Sequence, residues 1–160
     1  MWLFMMTCYV LSVFTFLLLC LSGLQGYFNF SILNANHPTF ALLSVIVYLL
    51  TETLVIFFFV GVSSSIKDYT LLKKLDMGFY QRVAAIKRKI YPPTFLNILL
   101  VMGQAISGGA VSVGQWPKWC HGLLFFLCLL HLGKVFQTQH NSFKTAASIM
   151  LAIPKENLNS

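Results

Sequence analysis

Apolar residues fall into four long runs, at 2–24, 39–62, 94–113 and 119–136, separated by polar or charged breaks. A hydrocarbon core of ~30 Å takes about 20 residues of helix at ~1.5 Å each, so each run is long enough to cross it or nearly so. Lipid offers no partner to a bare peptide group. These runs are therefore expected to be helices despite their many β-branched and aromatic residues. The first run is longer than a signal-peptide core and lacks a positive leader, which predicts a retained span. The fold class that follows is all-α: an integral-membrane four-helix bundle forming a single membrane domain over 1–160.

The breaks differ in character. Residues 25–38 hold no acid or Lys/Arg, only Asn29, Asn34, Asn36 and His37 among aromatics suited to a membrane interface. Residues 63–91 carry Lys67, Lys73, Lys74, Arg82, Lys87, Arg88 and Lys89 against Asp68 and Asp76. There Leu72, Leu75, Phe79, Val83, Ile86 and Ile90 recur at spacings of three and four, which predicts an amphipathic helix between spans 2 and 3. Pro92-Pro93 is expected to end it and launch the third span. Residues 115–118 read as a tight turn flanked by Trp116 and Trp119, and 137–160 as a polar tail.

Composition sharpens this picture. The chain is 58% hydrophobic and 9% charged, far too apolar for a soluble domain. Its net charge of +7 does not point to nucleic acid, because seven of the eleven Lys and Arg lie in the one loop at 63–91. By the positive-inside rule that loop is cytoplasmic, and with four spans both termini and the 137–160 tail are cytoplasmic too. Lys73, Lys74, Arg82, Lys87, Arg88 and Lys89 are then placed to meet the anionic inner leaflet. Cys8, Cys20, Cys120 and Cys128 form no C-x-x-C and read as small hydrophobes, with a Cys20–Cys120 disulfide left open.

The third span adds small residues, Gly103, Ser107, Gly108 and Gly109, whose spacing lets helices approach closely. It also puts Asn97, Gln104 and Ser107/Gly108 on one face. Against this background Glu52 stands out. An acid at mid-membrane costs roughly 2.5–3.5 kcal/mol to insert, so it must face protein or a water-filled cavity. It has two readings, a functional acid or hydrogen-bonding glue between helices. Counting depth from the polar breaks puts Glu52, Gln104 and His131 at similar levels, with Lys134 one turn further in. Such a cluster is suited to holding a proton, a water or a metal. At the opposite end His37 opens the second span and His121 the fourth. Two histidines at one level on neighbouring helices suit axial ligation of a haem b. No nucleophile with its base, H-E-x-x-H, phosphate loop or carboxylate pair is present, so a catalytic activity of its own is not expected.

TETLVIFFFVGVSSSIKDY (51–69), IKRKIYPP (86–93), SGGA (107–110) and WCHG (119–122) resemble segments of small four-span bacterial inner-membrane proteins with no established activity. The resemblance covers about 37–140. It implies a bacterial cytoplasmic membrane and a four-helix fold, and it assigns no residue a role. Two functions stay open: an accessory subunit of a larger respiratory or otherwise redox-linked membrane complex, or a haem- or quinone-binding electron carrier using His37, His121 or His131. Proton or ion passage through Glu52, Gln104 and His131 is a further alternative. Expected partners are membrane lipids and other membrane subunits.

Overall fold

A computed structural model describes residues 2–156, all of them in or between four helices: α1 (Trp2–Phe28), α2 (His37–Leu72), α3 (Gly78–Ser112) and α4 (Lys118–Glu156). All four are long and apolar enough to cross a membrane. Only 17–39% of each helix's apolar window is buried, so most of the hydrophobic surface points outward, where lipid rather than water suits it. Consecutive helices pack side by side, whereas α1 meets α4 mainly through side chains, with Phe125 at Gly23, Phe136 at Phe16, and His140 and Phe143 at Tyr9. Successive helices run antiparallel. The starts of α1 and α3 and the ends of α2 and α4 therefore gather at one end, here the basic end. The other, the histidine end, holds the α1–α2 loop and the α3–α4 turn.

The charged segment 63–91 is not a separate helix. Residues 63–72 continue α2, residues 78–91 begin α3, and only a short turn divides them. α2, α3 and α4 have 36, 35 and 39 residues. At ~1.5 Å per residue each is more than 50 Å long, well over the thickness of a hydrocarbon core. Phe79, Val83, Ile86 and Ile90 do form a buried stripe, packed with Phe58, Phe59, Val62, Ile66, Phe143 and Ile149 into the apolar core of the basic end. Leu72 is exposed and Leu75 lies in the turn.

Pro92-Pro93 does not interrupt α3 either. Two missing N–H groups leave backbone carbonyls one turn earlier unpaired, a defect membrane helices tolerate where neighbours and side chains compensate.

Local chemistry sets the ends. Asn36 caps α2, its Oδ1 accepting from the Thr39 backbone N–H at 3.1 Å and from Thr39 Oγ1 at 2.7 Å, with Pro38 in the first turn. α2 and α3 each close with a Schellman pattern. Leu75 N–H bonds to Thr70 C=O and Lys74 N–H to Leu71 C=O; Gln115 N–H bonds to Ala110 C=O and Gly114 N–H to Val111 C=O. The left-handed residue is Gly114 (φ 73°) in α3 but Lys74 (φ 53°) in α2. Asp76 then accepts from Gly78 N–H at 2.9 Å to start α3.

Candidate functional site

At the histidine end, all four helices contribute to a pair of imidazoles. His37 begins α2 and His121 lies in the first turn of α4. Their ring centroids are 6.4 Å apart with planes at 71°. Glycines make this approach feasible. A Cβ on Gly26 of α1 would come within 2.8 Å of His37, and one on Gly108 of α3 within 3.1 Å of His121. His121 is oriented by α3. The Ser107 hydroxyl donates to the Gln104 carbonyl at 2.8 Å, so its oxygen accepts from His121 Nδ1–H, also at 2.8 Å. That leaves the lone pair on Nε2, which meets only the Gln104 amide nitrogen at 3.2 Å. Three buried polar atoms at this end have no hydrogen-bond partner: His37 Nδ1, Gln104 Oε1 and Gln25 Oε1. Gln25 is fully buried, with its amide donating to Ala35 C=O at 2.8 Å. Tyr91 Oη and Thr94 Oγ1 are also unpaired, elsewhere on α3; the three beside the histidines are groups that a water, an ion or a ligand would satisfy.

A second polar layer crosses the middle of the bundle. His131 Nδ1–H donates to Asn97 Oδ1 at 2.9 Å, and Asn97 Nδ2–H donates to the Tyr48 hydroxyl at 2.7 Å. One turn along α2 from Tyr48, Glu52 accepts a 2.6 Å bond from the Gln139 amide of α4. Thr51 donates to its own helix at Val47 C=O, so Thr15 of α1 is the donor in the 2.8 Å Thr15–Thr51 bond. Tyr48, Thr51, Glu52, Asn97, Gln139 and Thr15 are all essentially inaccessible. Apolar layers bracket them. Leu19, Val101 and Cys128 lie towards the histidine end. Val55, Phe58, Phe59 and Phe143 lie towards the basic end.

The grouping of Glu52, Gln104, His131 and Lys134 by depth therefore divides. Gln104 lies two turns nearer the histidine end than Asn97 and joins His121. His131 pairs with Asn97. Glu52 faces protein and bonds Gln139, and Lys134 is exposed rather than turned toward it. His37 and His121 come together, and His131 lies apart from them. Of the small residues of α3, Ser107 and Gly108 seat His121, while Gly103 and Gly109 face open space. Lys73 and Lys74 end α2; Arg82 and Lys89 border a groove against α4; Lys87 and Arg88 lie on the same stretch of α3. The four cysteines are free thiols.

Sequence reasoning overlooked Gln25, Tyr48 and Gln139. Ser44, Tyr48, Thr51 and Val55 recur at helical spacing, as do Gln139, Ser142, Phe143, Ala146, Ile149 and Ile153. That pattern marks both polar residues as inward-facing. Gln25 was hidden by the placement of a break there, where α1 in fact runs on to Phe28. Comparison with known protein families, curated proteins and solved structures finds no match to this chain.

Proposed function

We propose that this chain is an integral-membrane subunit of a redox-linked membrane complex, and that its own contribution is a pair of axial imidazole ligands, His37 and His121, for a haem iron. The observation that carries the ligand assignment is the placement of the pair. Two imidazoles bound to one metal through bonds of about 2 Å have ring centroids roughly 6 Å apart, close to the 6.4 Å between these rings. The tautomer agrees: His121 gives its Nδ1–H to Ser107 and carries its lone pair on Nε2, which accepts from the Gln104 amide at 3.2 Å and would exchange that bond for a metal. Among the described residues no group of three His, Cys, Asp or Glu stands together. A macrocycle that fills four positions itself is thus the form of metal that two protein ligands suit. The rings stand edge to face, so ligation requires His37, whose Nδ1 is unpaired, to turn.

A bound haem supplies one-electron chemistry. His37 and His121 would hold it, and the bond to Ser107 fixes the His121 tautomer and would raise the basicity of that ligand. The subunit part of the reading draws support from Gly103 and Gly109, which face open space on α3 and would let a partner helix approach closely. Proton passage is the poorer fit, since apolar layers close the Glu52 layer on both sides. The setting that goes with this reading is a bacterial cytoplasmic membrane, with the basic end and both termini in the cytoplasm.

The test is an absorption spectrum and a haem assay on protein purified in mild detergent from its source membrane. A Soret band lost in both His37→Ala and His121→Ala, but kept in His131→Ala, is expected. A colourless protein that takes up no added haem would remove the ligand assignment. Native mass spectrometry of the same extract addresses the subunit, and a lone 18.1 kDa chain would argue against it.

A further inference from the structure

At the opposite end from the histidines, α3 and α4 part to leave a groove of about 400 Å³. Arg82, Ala85, Ile86 and Lys89 line it from α3, and Asn141, Ser142, Thr145, Ser148 and Ile149 from α4. Its composition is that of an amphiphile's seat. Ile86 and Ile149 are buried and give it an apolar floor, while Arg82 and Lys89 are exposed at the rim. Amide and hydroxyl groups stand opposite them. No carboxylate lines the groove, and among the described residues neither base makes an ion pair.

Its depth is as telling as its lining. From Ile90 to Val113, α3 carries no charged residue. At ~1.5 Å per residue that is ~36 Å, a hydrocarbon core with a little to spare. Lys89 thus stands at the core's edge and Arg82 two turns, ~10 Å, beyond it. Asn141 lies 22 residues after Trp119, ~33 Å along α4, and so reaches the same boundary. This is the level of lipid phosphates.

We propose that the α3–α4 groove seats the phosphate headgroup of an anionic membrane lipid, with Arg82 and Lys89 as its cationic walls, Asn141 as a facing amide donor at the core's edge and Ile86 and Ile149 as the apolar floor beneath the headgroup. Paired bases at the headgroup level attract phosphate, and a groove between two helices converts that attraction into a defined site. The assignment is independent of the haem ligands.

The experiment is native mass spectrometry of the full chain released from nanodiscs of equal phosphatidylglycerol and phosphatidylcholine. One phosphatidylglycerol retained per chain, about tenfold over phosphatidylcholine, is expected. Arg82→Gln with Lys89→Gln should lower that retention by roughly tenfold. Lys73→Gln with Lys74→Gln removes the same charge from the α2–α3 turn and should change it less than about twofold. Asn141→Leu approaches the site from α4 and should also weaken retention while leaving the charge intact. Equal losses in the two charge variants, or equal retention of both lipids, would overturn the site. Displacement of the lipid by millimolar inorganic phosphate would reassign the groove to a free anion and overturn the lipid.

Discussion

Glu52 is one carboxyl in a layer otherwise built from amides, hydroxyls, a phenol and the His131 imidazole, and its hydrogen-bond partner is Gln139, 87 positions along the chain. The energetic weight of that bond lies in what is left when it is cut. Glu52→Leu strands the buried Gln139 amide, a loss of about 1–3 kcal/mol. Glu52→Gln keeps an acceptor in place and should stay within about 1 kcal/mol of the parent. Unfolding in mixed detergent would measure both, and equal stability of the two variants would show that the bond carries no weight.

Asn97 is the more connected residue, since it joins α2 to α4. Interhelical hydrogen bonds in membranes average ~0.6 kcal/mol and reach ~1.7. Asn97→Leu breaks two of them and should cost about 1–3 kcal/mol. Thr15→Val should cost about 0.5 kcal/mol, because Thr51 keeps its bond to Val47. A Thr15 effect equal to that of Asn97 would contradict this ranking. At this scale the sequence was informative wherever a residue is out of place in lipid. Glu52 and His131 announce themselves that way, and Asn97 does so by sharing a face with Gln104. Partners were another matter. Gln139 looks ordinary within a polar stretch, and its role appears only when α4 is known to stay helical and buried as far as Ile153.

Among the elements, the α2–α3 turn shows where periodicity runs out. A three-four pattern reports a helical face and says nothing about a break, so the stripe from Phe79 to Ile90 was legible while its membership of α3 was not. Pro92-Pro93 misled for a related reason. In water a proline pair ends a helix, but here the flanking turns are held between neighbours and α3 runs through. The turn itself rests on one strained residue. Lys74 occupies the left-handed position that Gly114 fills at the end of α3. For a residue with a Cβ that conformation costs about 1 kcal/mol or more. Lys74→Gly should therefore stabilise the protein by about 1 kcal/mol, and Gly114→Ala should destabilise it by a similar amount. Thermal unfolding in detergent would read both shifts, and a destabilised Lys74→Gly would mean that the lysine side chain makes a compensating contact.

The whole molecule is organised by charge along its axis. Lys67, Lys73, Lys74, Arg82, Lys87, Arg88, Lys89 and Lys144 gather at the basic end, whereas Lys118 stands at the histidine end and Lys134 between. That asymmetry and four helices long and apolar enough to cross a membrane were readable from composition and run length. The extent of the helices beyond one core's thickness was not, since nothing in hydropathy marks where an amphipathic continuation of a helix ends. The long helices make the topology testable with a single site. Ser64 lies on an exposed face of α2, 27 residues past His37 and so ~40 Å along the helix, beyond a ~30 Å core. Ser31 is exposed in the α1–α2 loop at the other end. In a background with the four native cysteines replaced, Ser31→Cys should label with an impermeant thiol reagent in intact cells. Ser64→Cys should label only after the membrane is opened. The reverse pattern would invert the protein in its membrane. It would also place the Arg82–Lys89 groove on the outer leaflet and the His37–His121 pair at the cytoplasmic face, so this experiment orders all the others.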